Sequence, residues 1–390
     1  MLRKLLAYGA LTVLSLAVVP RVVCGRTESA IFDHDQAETM AFADRIAAEI
    51  ENVNERNFRT GSSRFDFEWS FGTQQMAALG FAQVMLARPE LADRYREPLR
   101  KALRKMIARE TLRFGTDAWG AIGIPRAERG HAYLGYANLA LGLARIADAG
   151  FEHVALHDQV TDSFVKQLEQ AKLGLIETYP GESYPVDVAS VVASIALHDK
   201  CANGSDRRDL VARWQDTVRA LYVDPKSGLL VQVASATTGK ALDKPRASGT
   251  ALAAYFLGVA DLPLGNELYE NTERCCAYTL FGFGAVTEYP SGVSGVGDID
   301  SGPVAFSFGV SPTGFLIGAA SQNQDRSRFL SLARTANFFG MPTSSANGWG
   351  YQSGGPIGNA IMFAMMTADR TGGRTRRSMT STLLGEGSKR

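Results

Sequence analysis

The chain has 390 residues, 45% of them hydrophobic and 21% charged, and its 41 basic and 40 acidic side chains leave a formal net charge of +1. That balance is ordinary for a soluble globular protein, and it lacks the basic excess that would draw a nucleic acid or an acidic membrane. Length alone allows roughly two or three average domains, or one large toroid.

The chain opens on an export pattern. Arg3 and Lys4 precede an apolar run from Leu5 to Val19, which ends before Pro20. Residues 1–24 fit a signal peptide or a signal anchor, and the run is short for a stable membrane-spanning helix. The expectation is a periplasmic or secreted protein, with a membrane tether through this segment as the alternative. Val22-Val23-Cys24 approaches a lipoprotein acceptor, but Val23 is bulky for one. The other cysteines are Cys201, Cys275 and Cys276. A bridge between neighbours is rare, and Cys201 could pair with either of the others in an oxidising compartment, but buried or free thiols are the expectation. Neither the cysteines nor the five histidines have metal-ligand spacing, and no metal or cofactor is expected.

Apolar residues three and four apart recur almost to the end, as in Met76, Leu79, Ala82 and Leu86. They predict about twelve helices, near 38–54, 69–86, 92–110, 130–148, 154–174, 187–200, 207–222, 247–258, 265–281, 302–320, 325–338 and 356–370. Leu229–Val233 reads as a short strand, half of a hairpin ending near Leu242. Residues 371–390 are rich in Ser, Thr, Gly and Arg and read as a disordered tail.

The links alternate in length. Short ones follow the even helices, at Arg88–Leu91, Gly150–His153, Ala202–Asp206, Ala260–Leu264 and Ser321–Gln324. Long ones precede them, near 111–129, 175–186, 223–246, 282–301 and 339–355. Antiparallel pairs place successive links at opposite ends, so every long link falls at one end, where function usually sits. The fold expected over residues 30–370 is an all-α (α/α)6 toroid with a short β-hairpin in one loop. The small-residue even helices line its inside, with their N-termini at the active face.

Four stretches carry a recognisable pattern: GHAYLGYANLALGLAR at 130–145, YPGESYPVDVASVVASIALHD at 179–199, VDPKSGLL and SGTALAAYFLGVADL within 214–262, and GDIDSGP opening a helix within 296–319. In these stretches the chain resembles the linalool dehydratase/isomerase family of exported α/α-barrel proteins. The resemblance implies the barrel, the place of the pocket and a homo-oligomer with sites near its interfaces. The family's cysteines belong to the loop matching 178–188, where this chain offers Glu182 and Asp187. Where the family has a histidine early in the fourth helix, this chain has Tyr136, with His131 about one turn before it.

Carboxylates interleaved with aromatics in the long links suit a sugar, whose glycosidic bond two carboxyl groups can cleave. The candidate catalytic residues are Glu68, His131, Glu182, Asp187, Asp298 and Asp300; the aspartates serve equally well as helix caps. The candidate substrate-binding residues are Trp69, Trp119, Tyr136, Tyr184, Arg246, Tyr289, Trp349 and Tyr351, with core packing the competing role for the tryptophans. Gly302-Pro303 and Gly354-Gly355-Pro356 match no nucleotide-binding motif. Carboxylate acid/base chemistry on a small-molecule or oligosaccharide substrate follows, with glycoside hydrolysis leading. The alternatives are a dehydratase, isomerase or lyase acting on a C–O bond, and a toroid that only binds ligands or docks a partner.

Overall fold

A computed structural model of the chain describes residues 23–120, 129–202, 206–298 and 301–369, with scattered positions before Val23. Most of the apolar N-terminal run and the expected 371–390 tail lie outside the described residues. Among the described residues no helix is long and apolar enough to cross a membrane.

The helices are α1 (Arg26–Phe32), α2 (Gln36–Ile50), α3 (Ser63–Ala87), α4 (Ala92–Met106), α5 (Arg113–Thr116), α6 (Leu134–Ala147), α7 (Val154–Gln170), α8 (Pro185–Cys201), α9 (Arg208–Leu221), α10 (Ala247–Val259), α11 (Pro263–Cys276), α12 (Val310–Gln322), α13 (Arg326–Gly340) and α14 (Gly355–Met366). The strands are β1 (Ala277–Leu280), β2 (Phe283–Thr287), β3 (Val304–Ala305), β4 (Phe308–Gly309), β5 (Pro342–Ser345) and β6 (Gly348–Tyr351). They form a four-stranded antiparallel sheet ordered β1-β2-β4-β3 and a separate β5–β6 hairpin.

Six helices make the inner ring. α3 packs on α6, α6 on α8, α8 on α10, α10 on α12, α12 on α14, and α14 returns to α3. The other long helices, α2, α4, α7, α9, α11 and α13, pack outside them. The fold is an (α/α)6 toroid, with all twelve expected helices present. Composition explains the sorting. α4 buries Tyr95, Leu99, Ala102, Leu103 and Met106 and turns its charged face to water, whereas α8 and α10 are buried on nearly every side. Small residues let inner helices approach. A Cβ on Gly135 would stand 2.7 Å from the Val191 backbone nitrogen, and one on Gly318 would stand 2.4 Å from Met365 Sδ. The bore is filled by Tyr255, whose hydroxyl donates to Gln83 Oε1 at 3.1 Å, and by buried Phe256.

Several boundaries differ from the expectation. α3 starts six residues before 69, because the Asp66 carboxylate accepts from the Thr60 amide and hydroxyl and pins the turn ahead of the helix. The helix expected to reach 281 ends at Cys276, where AYTL pairs with FGAVT as β1 and β2. The helix expected from 302 starts at Val310, since β3 and β4 occupy its first turns. The 229–242 hairpin is reduced to isolated bridges, Val231 to Pro245 and Ala234 to Ala241. Cys275 and Cys276 are joined to each other at the helix-to-strand switch, against the expectation of free thiols, while Cys201 is free.

Candidate functional site

Each long link delivers side chains to the N-termini of the inner helices, where unpaired backbone N–H groups give a positive potential. The first sector joins α3, α6 and α8. Pro185 sets the start of α8, which puts Asp187 in its first turn. The Asp187 carboxyl is buried and accepts from Tyr136 Oη at 2.6 Å and from Thr178 Oγ1 at 2.5 Å. Burial outweighs both bonds and pushes its pKa up to about 6. Beside it, Tyr179 is buried and donates to Glu68 Oε1 at 3.2 Å, with the Arg64 guanidinium 3.7 Å above its ring. Burial and the charge of Glu68 hold the Tyr179 phenol well above its ordinary range.

His131 follows Gly130, and both have positive φ, 66° and 71°. Its Nδ1 lies 2.9 Å from the Arg129 carbonyl, which only accepts, so Nδ1 carries the proton. Nε2 then presents a lone pair, buried and without a hydrogen-bond partner among the described residues. Burial lowers the imidazole pKa and keeps the ring neutral near pH 7. The ring stacks on Trp119 at 4.7 Å, and the Trp119 indole donates to the Thr178 carbonyl at 3.0 Å. The Tyr133 hydroxyl is also buried without a hydrogen-bond partner among the described residues. Buried polar atoms left unpaired are uncommon and mark places where water or a ligand completes the bonding.

The second sector joins α10, α12 and the link before α12. Arg246 sits at the N-terminal boundary of α10, and its guanidinium pairs with Asp298 and, at 2.8 Å, with Asp243. Its carbon centre lies 5.7 Å from the Tyr289 ring. The second Asp298 oxygen accepts from the Ser301 amide at 3.0 Å. Asp300 lies outside the described residues. Glu288 is fully buried just after β2; one oxygen accepts from Ser248 Oγ at 2.6 Å and the other has no partner among the described residues. Burial, with the charge of Asp298 adding to it, overrides Ser248 and Arg246 and raises the Glu288 pKa to about 7. The two sectors touch. A Cβ on Gly249 would stand 2.7 Å from Gln232 Oε1 and 3.8 Å from Val186 Cγ1, next to Asp187.

The sequence candidates therefore divide. Glu68, His131, Trp119, Tyr136 and Asp187 meet in the first sector, and Arg246, Tyr289 and Asp298 in the second. Glu182 is exposed and accepts from Tyr184 Oη at 2.8 Å. Trp69 meets Phe58 edge-on at 6.0 Å. Trp349 stacks on Phe42 at 4.4 Å and Tyr351 donates to buried Glu28 at 2.7 Å, so both sit in the core between α2 and α14. Glu288 stands in the same long link as Tyr289 and Asp298, among the side chains that could carry chemistry, but it was not chosen as a catalytic candidate. The signal for it is strand periodicity, since Gly284, Val286 and Glu288 alternate inward.

At the opposite end of the ring, His157, Asp158 and His198 bring ligand-type atoms within 4.8 Å of one another. Arg145 Nη1 lies 3.3 Å from His157 Nδ1, and Arg207 Nη1 lies 3.1 Å from His198 Nδ1. A guanidinium only donates, so both imidazoles carry their protons on Nε2, and His198 Nε2 donates to Asp158 Oδ1 at 2.9 Å. Protonated Nε2 atoms beside two guanidinium groups suit an ion-pair network rather than a bound cation. A groove of about 550 Å³ on this side is lined by Lys200, Asp206 and Arg208, the last two ion-paired at 2.6 Å.

No family model matches the chain, nor does any curated protein sequence. Solved structures do resemble it. The GH76A α-1,6-mannanase from Salegentibacter sp. HEL1_6 aligns at a TM-score of 0.52 and 13% identity, over 84% of this chain and 98% of that one. An inactive variant of the same enzyme, with two consecutive aspartates changed to asparagine and α-1,6-mannotriose bound, aligns at 0.50 and 12% over the same shares. At such identity the likeness establishes the shared toroid.

Proposed function

We propose that the chain is an exported glycoside hydrolase whose acid/base chemistry is carried by Asp187 and Glu288. The observation that carries this reading is the pair of buried carboxyl groups at neighbouring inner helices, with pKa values raised to about 6 and about 7. A carboxyl that holds its proton near neutrality can protonate a leaving oxygen. Support also comes from the toroid shared with mannanases and from the mannotriose held by one of them. That enzyme's inactive variant is altered at two consecutive aspartates, whereas no two acidic residues are consecutive anywhere in this chain. On this reading the acid and its partner come from separate elements, Asp187 from the first turn of α8 and Glu288 from just after β2.

The segments similar to linalool dehydratase/isomerase keep a second reading, elimination or isomerisation at a C–O bond. What favours it is the first sector, where Asp187 and Tyr136 share a hydrogen bond at 2.6 Å and a neutral His131 offers a bare Nε2. The test is to incubate the full chain with α-linked manno-oligosaccharides, other oligosaccharides and terpenoid alcohols. New reducing ends from a sugar, lost in Asp187→Asn and Glu288→Gln, are the expected result. Alkene formation from an alcohol without sugar cleavage would replace hydrolysis by the second reading. Ligand binding with no turnover of either class would make the toroid a binding protein.

A further inference from the structure

The β1–β2 hairpin carries apolar side chains into solvent, with Leu280 69% and Phe281 62% exposed. It lies over α13, where a Cβ on Gly284 would stand 2.5 Å from Ser331 Oγ. Phe283 meets Phe338 at 5.9 Å, and Phe338 meets Phe339, itself 69% exposed, at 5.2 Å. Tyr278 and Met341 extend the same exposed surface. Single exposed apolar residues are normal, but a contiguous aromatic patch marks a contact surface.

The chain itself points to what covers it. The described residues that follow the apolar run enter the fold at this corner. Arg21 lies over the hairpin turn, where a Cβ on Gly282 would stand 2.9 Å from its Nε. Gly25 packs against Arg334, whose guanidinium donates to the Gly282 carbonyl at 3.2 Å. Neither Arg21 nor Arg334 has an ion pair among the described residues. The run Leu5–Val19 is shorter than the roughly twenty residues a stable span needs, so alone it is a weak anchor. Weak membrane signals become firm when two act together, and arginines at the interface add attraction to anionic lipid. The net charge of +1 hides this because the two arginines are a local feature.

We propose that this corner is a membrane-contact surface, which with the Leu5–Val19 run lays the toroid against an anionic bilayer by the β1–β2 hairpin and the end of α13. The contact is independent of the reaction the site performs. It is tested by flotation of the full chain with vesicles of phosphatidylcholine alone and of phosphatidylcholine with phosphatidylglycerol. The wild type should float with both and more with the anionic vesicles. A Leu280→Ser, Phe281→Ser, Phe339→Ser variant should partition at least tenfold less, with an unchanged melting temperature. Unchanged flotation of that variant would overturn the proposal, leaving the N-terminal run as the sole anchor. Loss of an oligomer in that variant without vesicles would also overturn it, making the patch a contact between copies of the chain. Should the triple variant misfold, Leu280→Trp gives a second reading. Its fluorescence must be quenched beyond the wild-type background by lipids brominated on the acyl chain, and absence of quenching would sink the idea.

Discussion

Asp148 and Asp187 are both buried, one just after α6 at the short-link end and the other in the first turn of α8 at the long-link end. Burial raises the pKa of each, yet the outcomes are opposite. Asp148 accepts from Arg100 at 2.8 Å, from the Gly150 amide at 2.9 Å and from Arg96 at 3.3 Å, and these overcome burial and hold it below the usual range. Among the described residues Asp187 has a phenol and a hydroxyl as its donors and no cation, and it rises to about 6. Glu288 repeats the pattern with one serine and one bare oxygen. Saturated carboxylates serve the scaffold, while under-bonded ones retain a proton to give and a place for a ligand. The difference lies in what surrounds the residue.

The largest effects should come from the under-bonded pair. Asp187→Asn and Glu288→Gln should each lower turnover by about 10²–10⁴-fold, the usual span for a general acid or base. Their effect on stability should run the other way. A carboxyl raised on folding binds its proton more tightly in the folded state, so it costs nothing below the ordinary carboxylate range. Stability is lost as pH rises from there through about 6 for Asp187 and about 7 for Glu288. At pH 8 both amides should therefore melt no lower than the wild type. A parallel fall in activity and melting temperature would break the comparison by making these residues structural.

Asp148→Ala should do the reverse. It should cost about 2 kcal/mol in urea unfolding, by stranding two partly exposed arginines, and leave turnover per folded molecule unchanged. Because its folded pKa is depressed, its contribution is present above the ordinary carboxylate range and fades as pH falls through the folded value. The wild type should therefore lose an acid-side increment of stability that the variant lacks. The smallest effect belongs to Glu182→Gln. This residue is on the long-link face but exposed, with Tyr184 as partner, and both stability and turnover should stay within about 0.5 kcal/mol of wild type. A large loss of turnover there would mean that substrate buries it, and would widen the site beyond the two sectors.

Much of the fold was legible because the signals are local. Helical periodicity and alternating link length reside within windows of ten to twenty residues, and they gave twelve helices and a single end bearing the long links. The failures were local ambiguities settled elsewhere. Residues 277–287 continue an apolar pattern, and only pairing with β4 and packing on α13 make them strands. Trp349 sits in a long link like Trp119, but Phe42, some three hundred residues away in the chain, takes it into the core.

The sequence by itself determined the toroid, the face that bears the long links and the residue types offered there, because periodicity and turn chemistry are written into neighbouring residues. Tertiary structure alone decided the chemical state of those residues. It withholds a cation from Asp187, leaves one oxygen of Glu288 bare, commits Arg246 to Asp298 and fixes the His131 proton on Nδ1. A pKa and a hydrogen bond depend on burial and on partners that lie tens to hundreds of residues away along the chain, and no spacing rule carries that information.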